Sequence, residues 1–300
     1  MTDTLERPAL TTAAPRRAGA SRSSRQQRLR RSRWLWGVVL WLLALAFLVP
    51  FAWMISTSLK ANADAFTMPM QWIPDPLRWD SYVEVLTGES SILPAFLNSV
   101  VVATARVLGE VLTATMAGYA FARLHFRGRD KIFLAYLATS IIPAQLLLVP
   151  RFIYFQQLGL YDTLWALILP GMFTVLGTFL MRQFFVGQPA AFAEAARIDG
   201  ANEWQIFWRL YLPMASPVMS ALGILAFVWS WNDYETPLVL ISSPEAFTLP
   251  LSLTNFTDEQ GSLSPNLSMA ASVVSIIPVL IVFLLLQKRF VHAMTHTGIK

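Results

Sequence analysis

MRQFFVGQPAAFAEAARIDGANEWQIFWRLYLP, residues 181–213, is the least apolar organised stretch of this 300-residue chain. It reads as two helices joined by a turn. Pro189 has no amide hydrogen, which costs nothing in the first turn of a helix, and Ala190–Asp199 is rich in helix formers. Gly200 supplies a stop that readily accepts positive φ. Asn202, followed three residues later by Gln205, fits a capping box that restarts the chain as Glu203–Leu212, and Pro213 disrupts the continuation. Phe192, Ala195, Ala196 and Ile198 give the first helix an apolar patch beside charged Glu194, Arg197 and Asp199. Such a hairpin is either an amphipathic connection along a membrane surface or a surface offered to a partner.

Both flanks of the hairpin are apolar runs, and so is most of the chain. Hydrophobic side chains make up 55% of it and charged ones 14%, with a mean hydropathy of +0.50. Soluble domains carry roughly a quarter charged residues, so the composition excludes an ordinary globular protein. A helix needs about 20 apolar residues to cross a bilayer, and six stretches qualify: 34–59, 92–122, 132–150, 163–181, 214–240 and 266–286. The first is uncharged throughout. Pro143 and Pro170 are expected to kink the third and fourth, with neighbouring helices satisfying the freed carbonyls. RFIYFQQLGLYD, residues 151–162, separates those two runs as an amphipathic surface segment.

Charge gives the orientation. Nine arginines against Asp3 and Glu6 make residues 1–33 strongly basic, with little apolar surface to bury, which predicts a disordered tail. Position immediately before a span favours a role in topology or lipid contact over nucleic-acid binding. The remaining basic residues cluster between alternate runs, so that nineteen of the 23 fall on one side of a six-span chain. Lys60, Arg78 and Arg151 fall on the other side and Arg106 falls within a run. Positive-inside asymmetry therefore puts both termini, and the hairpin, in the cytoplasm. The expected organisation is a tail at 1–33, a six-helix domain at 34–290 with the hairpin at about 189–213, and a C-terminal tail at 291–300.

Few residues suggest chemistry. Arg106 and Glu110 are i and i+4 within the second run and could pair with each other, or line an aqueous path. Trp229, Trp231, Asn232 and Tyr234 could stack against and hydrogen-bond a sugar, or simply anchor the fifth span at an interface. The chain has no cysteine, and one His292/His296 pair is weak as a metal site, so no metal is expected. Neither a GxxxxGK[ST] loop nor GxGxxG occurs, and no nucleophile–base constellation is apparent.

Beyond its helical signals, EAARIDGANEWQIFWRLYLPMASP resembles the EAA loop of binding-protein-dependent ATP-binding-cassette importer permeases. Glu194, Ala195, Ala196, Asp199, Gly200, Ala201, Leu210, Pro213 and Pro217 fall at the positions of that motif. WSWNDYETPL at 229–238 and PRFIYFQQLGLYDTLWALIL at 150–169 look like the carbohydrate branch related to the maltose permease second subunit. The resemblance implies an all-α polytopic fold of the type I importer kind in an inner membrane. It also implies a non-catalytic translocation subunit that binds no cofactor, with ATP and magnesium held by two partner ATPase subunits. Further implied partners are a second homologous permease subunit, an extracytoplasmic solute-binding protein and a small carbohydrate; no nucleic acid is expected. Glu194, Ala195, Ala196, Asp199, Gly200 and Ala201 would dock on an ATPase, although Asp199 could instead cap the second helix. A non-sugar importer, an ion-coupled transporter and a membrane scaffold are the rival readings.

Overall fold

Every regular element of the computed structural model is helical among the residues it describes, 20–65, 67–88, 91–256 and 264–297. That is the outcome hydrocarbon imposes on an open chain, because a helix satisfies its own backbone polar groups. The chain divides into two units, residues 1–53 and 54–300. Helix α1 is Ala20–Ser58, so it begins fourteen residues before Trp34, the first residue of the expected span. Disorder was expected through residue 33, but residues 20–33 are helical. Arg, Gln and Leu are good helix formers, and extending a nucleated helix avoids the cost of starting one. Residues 1–19 of the tail lie outside the described residues.

In the second unit, α2 (Asp80–Thr87) leads to α3 (Leu93–Arg123), a single 31-residue helix with its only proline in the first turn. Around α3 the other segments are broken. Helix α4 (Arg129–Ala138) ends in a 3-10 turn at Thr139–Ile141, and the chain restarts at Ala144 before α5 (Leu148–Gln157). These limbs meet at 90°, where one span at 132–150 was expected. Ile142, immediately before Pro143, is pushed to ψ 118, the extended region that proline imposes on its predecessor. The surface segment expected after residue 150 is instead largely the second limb.

Helix α6 (Leu164–Gly171) and α7 (Val175–Val186) form one 23-residue span with a break at residues 172–174. One backbone carbonyl at this break finds its partner on a neighbouring helix. Thr113 of α3 donates to the Met172 carbonyl at 2.5 Å, and Thr174 donates to Glu110 at 2.7 Å while accepting from the Gly177 amide. The hairpin follows as α8 (Ala190–Ile198) and α9 (Glu203–Gln205), which runs on as a π turn at Ile206–Tyr211 and α10 (Leu212–Met214). Helix α11 (Ser216–Trp231) then leaves at 72°, and residues 232–234 separate it from α12 (Glu235–Leu240). After α13 (Leu249–Ser252), α14 (Pro265–Thr297) ends the described chain, so residues 291–297 of the expected tail are helical and residues 298–300 lie outside the described set. Among the described residues, four helices are long and apolar enough to cross a membrane, or up to six if each bent pair is one span.

Helix α3 is the hub. It packs on α6, α7 and α11, and α11 packs on α14. Lipid offers no hydrophobic incentive for helices to associate, so contact relies on small residues that let backbones approach. Gly118 is one: a Cβ there would lie 2.6 Å from the Met181 Cβ and 2.8 Å from the Arg182 nitrogen. One apolar cluster, with Tyr119, Phe185, Phe207 and Tyr211 at its centre, lies at the hairpin end; another, around Val102, Phe155, Ile168 and Leu240, lies at the opposite end.

Candidate functional site

The first arm, turn and cap form as the sequence dictates, but the second arm, expected as one helix over Glu203–Leu212 ended by Pro213, widens to a π turn at Ile206–Tyr211 and stays helical through Pro213. Pro189 (φ −60, ψ 136) precedes α8, and Gly200 holds φ +84 with its amide bonded to the Arg197 carbonyl at 3.0 Å. Both bonds of the capping box are made, Gln205 N to Asn202 Oδ1 at 2.8 Å and Asn202 N to Gln205 Oε1 at 3.0 Å. Asn202 thus does the capping, and the Asp199 carboxylate has no partner among the described residues. Glu194, Ala195, Asp199 and Gly200 are exposed, Ala201 is half-buried, and Ile198 is 86% exposed. Of α8 only Ala193 is buried, with Ala196 packed against the core beneath; Phe192 of the expected apolar patch is exposed. Between α8 and the second arm lies a groove of about 490 Å³ lined by Ala195, Ala196, Asp199, Gly200, Ile206 and Arg209.

The base of the hairpin is fastened firmly. Arg123, in the last turn of α3, donates to the carbonyls of Phe185 (2.6 Å) and Gln188 (2.5 Å) and lies 5.1 Å from the Tyr211 ring centroid. A cation at a helix C-terminus meets the unpaired carbonyls and the negative end of the dipole. Arg197 pairs with Glu203 at 2.8 Å, and the other Glu203 oxygen accepts from the Tyr119 hydroxyl at 3.0 Å. Glu203 raises the pKa of the Arg197 guanidinium by hydrogen bond and charge.

A second polar group sits at the helix breaks. Arg106 does not pair with Glu110; it donates to Asp233 at 2.8 Å, and Asp233 also accepts from the Thr236 amide at 3.1 Å. An i, i+4 pair could form within α3, but the bend after α11 brings a carboxylate closer to the guanidinium, while Thr174 engages Glu110. Glu110 is 4% exposed. Gly171 gives Arg106 its room: a Cβ there would stand 2.0 Å from Arg106 Nε. Arg151, expected in an outer loop, lies in α5 within electrostatic reach of Asp233 and Arg106. Its approach to these charges follows from the 90° bend, a tertiary feature that the sequence does not show. Arg151 lines a recess of about 510 Å³ with Pro150, Tyr154, Leu169 and Pro170.

The aromatic candidates separate. Trp231 is 2% exposed, stacks on Phe227 and donates to the Ser275 carbonyl at 3.1 Å, which makes it a core residue. Trp229, Asn232 and Tyr234 reach the surface, and Asn232 donates to the Val228 carbonyl at 2.8 Å. At the end opposite the hairpin, Asp162 (φ 61) accepts the amides of Ser242 (2.8 Å) and Ser243 (2.9 Å) and the Ser243 hydroxyl. These donors hold its pKa down at about 2. Among the described residues no group of His, Cys, Asp and Glu side chains could hold a metal ion; the side chains of His292 and His296 lie outside that set.

Residues 111–296 match the family model described as binding-protein-dependent transport system inner membrane component. The chain is 32% identical to the arabinooligosaccharides transport system permease protein AraQ of Halalkalibacterium halodurans, over 88% of its own length and 97% of the relative's. It is also 32% identical to the diacetylchitobiose uptake system permease protein NgcG of Streptomyces coelicolor, over 85% and 82% of the two chains. Its fold superposes on a chain of a bacterial ABC transporter involved in the import of the acidic polysaccharide alginate, with a TM-score of 0.77 and 27% identity over 90% and 98% of the two chains.

Proposed function

The chain belongs to the family of binding-protein-dependent transport system inner membrane components, and on that premise we propose that it is the permease subunit of an ATP-driven importer for a sugar, oligosaccharide or sugar derivative. Relatives that import arabinooligosaccharides and diacetylchitobiose support the substrate class. The subunit translocates; hydrolysis belongs to two ATPase partners that hold ATP and magnesium. A second homologous permease completes the membrane pathway, and an extracytoplasmic binding protein delivers solute. The clustering of nineteen basic residues in the tails and hairpin-side loops supports cytoplasmic termini.

The observation that carries the reading is the contrast within the hairpin. Its base is buried in an aromatic cluster, while Glu194 and Asp199 at its tip are exposed and have no partner among the described residues. Two free carboxylates beside small Ala195, Ala196, Gly200 and Ala201 suit a tight cleft that supplies charge-assisted donors. ATPase closure would move this tip and tilt the helices fixed to its base, opening the pathway outward, and resetting would open it inward. Trp229, Asn232 and Tyr234, with Arg106 and Arg151, are the side chains best placed to meet a passing polar solute; Glu110 and Trp231 hold the scaffold.

The test is reconstitution with candidate partner subunits in proteoliposomes. ATP-dependent uptake that needs both the binding protein and the ATPases is expected. Uptake by this chain alone, without ATP, would point to an ion-coupled transporter and sink the importer reading.

A further inference from the structure

The docked tip can act on the membrane helices by two routes, and the structure makes them unequal. One route is the covalent chain from the second arm into α11. That route is soft: it contains the π turn at Ile206–Tyr211, a three-residue helix and a 72° bend.

The other route is lateral. Glu203 is shared: Oε1 holds Arg197 of α8, at 2.9 Å from Nε and 2.8 Å from Nη2, and Oε2 takes the Tyr119 hydroxyl of α3. The Tyr119 ring is 5% exposed and is fixed by Phe185, Phe207 and Tyr211, with centroids 5.7, 5.0 and 5.4 Å away. Four residues on, and therefore on the same face of α3, Arg123 grips the Phe185 and Gln188 carbonyls just ahead of Pro189. The foot of the first arm and the start of the second are thus tied to one turn of one helix. A crevice of about 200 Å³ opens beside the link, among Met116, Ala120, Leu124, Trp204 and Phe207. Beside that crevice the hydrogen bond adds a polar tie to the aromatic packing of Tyr119 on Phe207 and Tyr211.

Helix α3 then runs unbroken to the other polar group. Thirteen residues separate Tyr119 from Arg106, about 20 Å at 1.5 Å per residue, and Arg106 grips Asp233 at the break between α11 and α12. We infer that Tyr119 and Glu203 are positioning residues for coupling: they pass hairpin movement sideways into α3, which delivers it to the Arg106–Asp233 pair, instead of passing it along the chain into α11. This rests on the importer reading above and assigns that reading a route.

The chain has no cysteine, so introduced ones are unique reporters in it. Spin labels at Leu97 of α3 and Leu238 of α12, both exposed, report distance in the full complex, assembled from cysteine-free partners, with ATP and vanadate. Wild type is expected to shift. Tyr119→Phe keeps the ring and loses only the hydroxyl; ATPase co-purification and vanadate trapping should stay full, while the population reaching the ATP-bound distance falls about fivefold, the factor one hydrogen bond carries. Adding Glu203→Gln to Tyr119→Phe should cost little more. A full shift in Tyr119→Phe, or independent losses that simply multiply, would overturn the lateral route while leaving the importer reading intact. A wild-type complex that traps no nucleotide, or traps it without a shift, would overturn both the route and the coupling reading beneath it.

Discussion

Gly200 offers the sharpest test of the hairpin. Its φ of +84 lies in the left-handed region, and no heavy atom lies within 4 Å of where a Cβ would be. Within this chain the constraint is therefore conformational and not steric. An L-residue there costs roughly 1–2 kcal/mol, whereas asparagine visits this region more readily than other non-glycine residues. At about 1.4 kcal/mol per tenfold, Gly200→Ala should weaken ATPase docking by roughly 5- to 30-fold, if the strain is relieved by opening the turn. Gly200→Asn should weaken it less, and Gly200→Val more, because a branched Cβ is a genuine outlier at positive φ. Docking can be measured by titrating purified ATPase onto the permease pair in nanodiscs, with thermal unfolding as a control for insertion and folding. The order Asn, Ala, Val tests the logic. If the larger Asn docks worse than Ala, the glycine is there to let the partner approach closely; if all three dock like wild type, the turn geometry does not matter to coupling.

Other substitutions probe the scaffold. Breaking the Arg106–Asp233 pair from one side, with Arg106→Met or Asp233→Leu, should destabilise by less than the roughly 3–5 kcal/mol of an uncompensated buried charge, because Arg151 and Glu110 stay within reach, while the double apolar variant should recover much of the loss; unfolding in detergent measures both, and singles no worse than the double would refute the pairing energetics. Gly118→Leu should lower the unfolding temperature, since overpacking at the approach of α3 to α7 costs about 1–3 kcal/mol; an unchanged midpoint would refute the close contact. For Asp162, the folded pKa is depressed to about 2 from an ordinary 3.8, so its contribution is fully present above the ordinary value and lost as pH falls through the folded one. The clasp on Ser242 and Ser243 should therefore stay closed at pH 5, and Asp162→Ala should speed hydrogen exchange at both amides; equal exchange rates in variant and wild type would count against it.

Much of the hairpin was legible in its residues. Pro189, Gly200 and the Asn202/Gln205 box act through bonds within four residues, so local chemistry decided them, and Asn202 rather than Asp199 emerged as the cap. The apolar runs were legible as lengths that match a bilayer, but among the described residues four are helices long enough to cross and two are pairs bent by 90° and 72°. Pro143 marked a kink, but its size, 90°, depends on what the second limb packs against. The i, i+4 spacing of Arg106 and Glu110 gave a plausible pair, and it was the wrong one. Spacing along a helix states who can meet; it cannot weigh a carboxylate 127 residues away. Arg151 was counted as a loop charge, and Glu203 as a helix start with no long-range partner, for the same reason.

By itself, then, the sequence determined an apolar, helical, many-span chain with a polar hairpin, since composition, helix period and capping are local quantities. Its motif carried the family as well. Only the tertiary structure decided which charges pair, which aromatic is core and which is surface, and how the hairpin is tied to α3. Those outcomes are set by the bends at residues 142–143, 172–174, 215 and 232–234. Where a helix breaks, its freed polar groups must find partners from elsewhere in the chain, and in an apolar medium that demand dictates the long-range contacts.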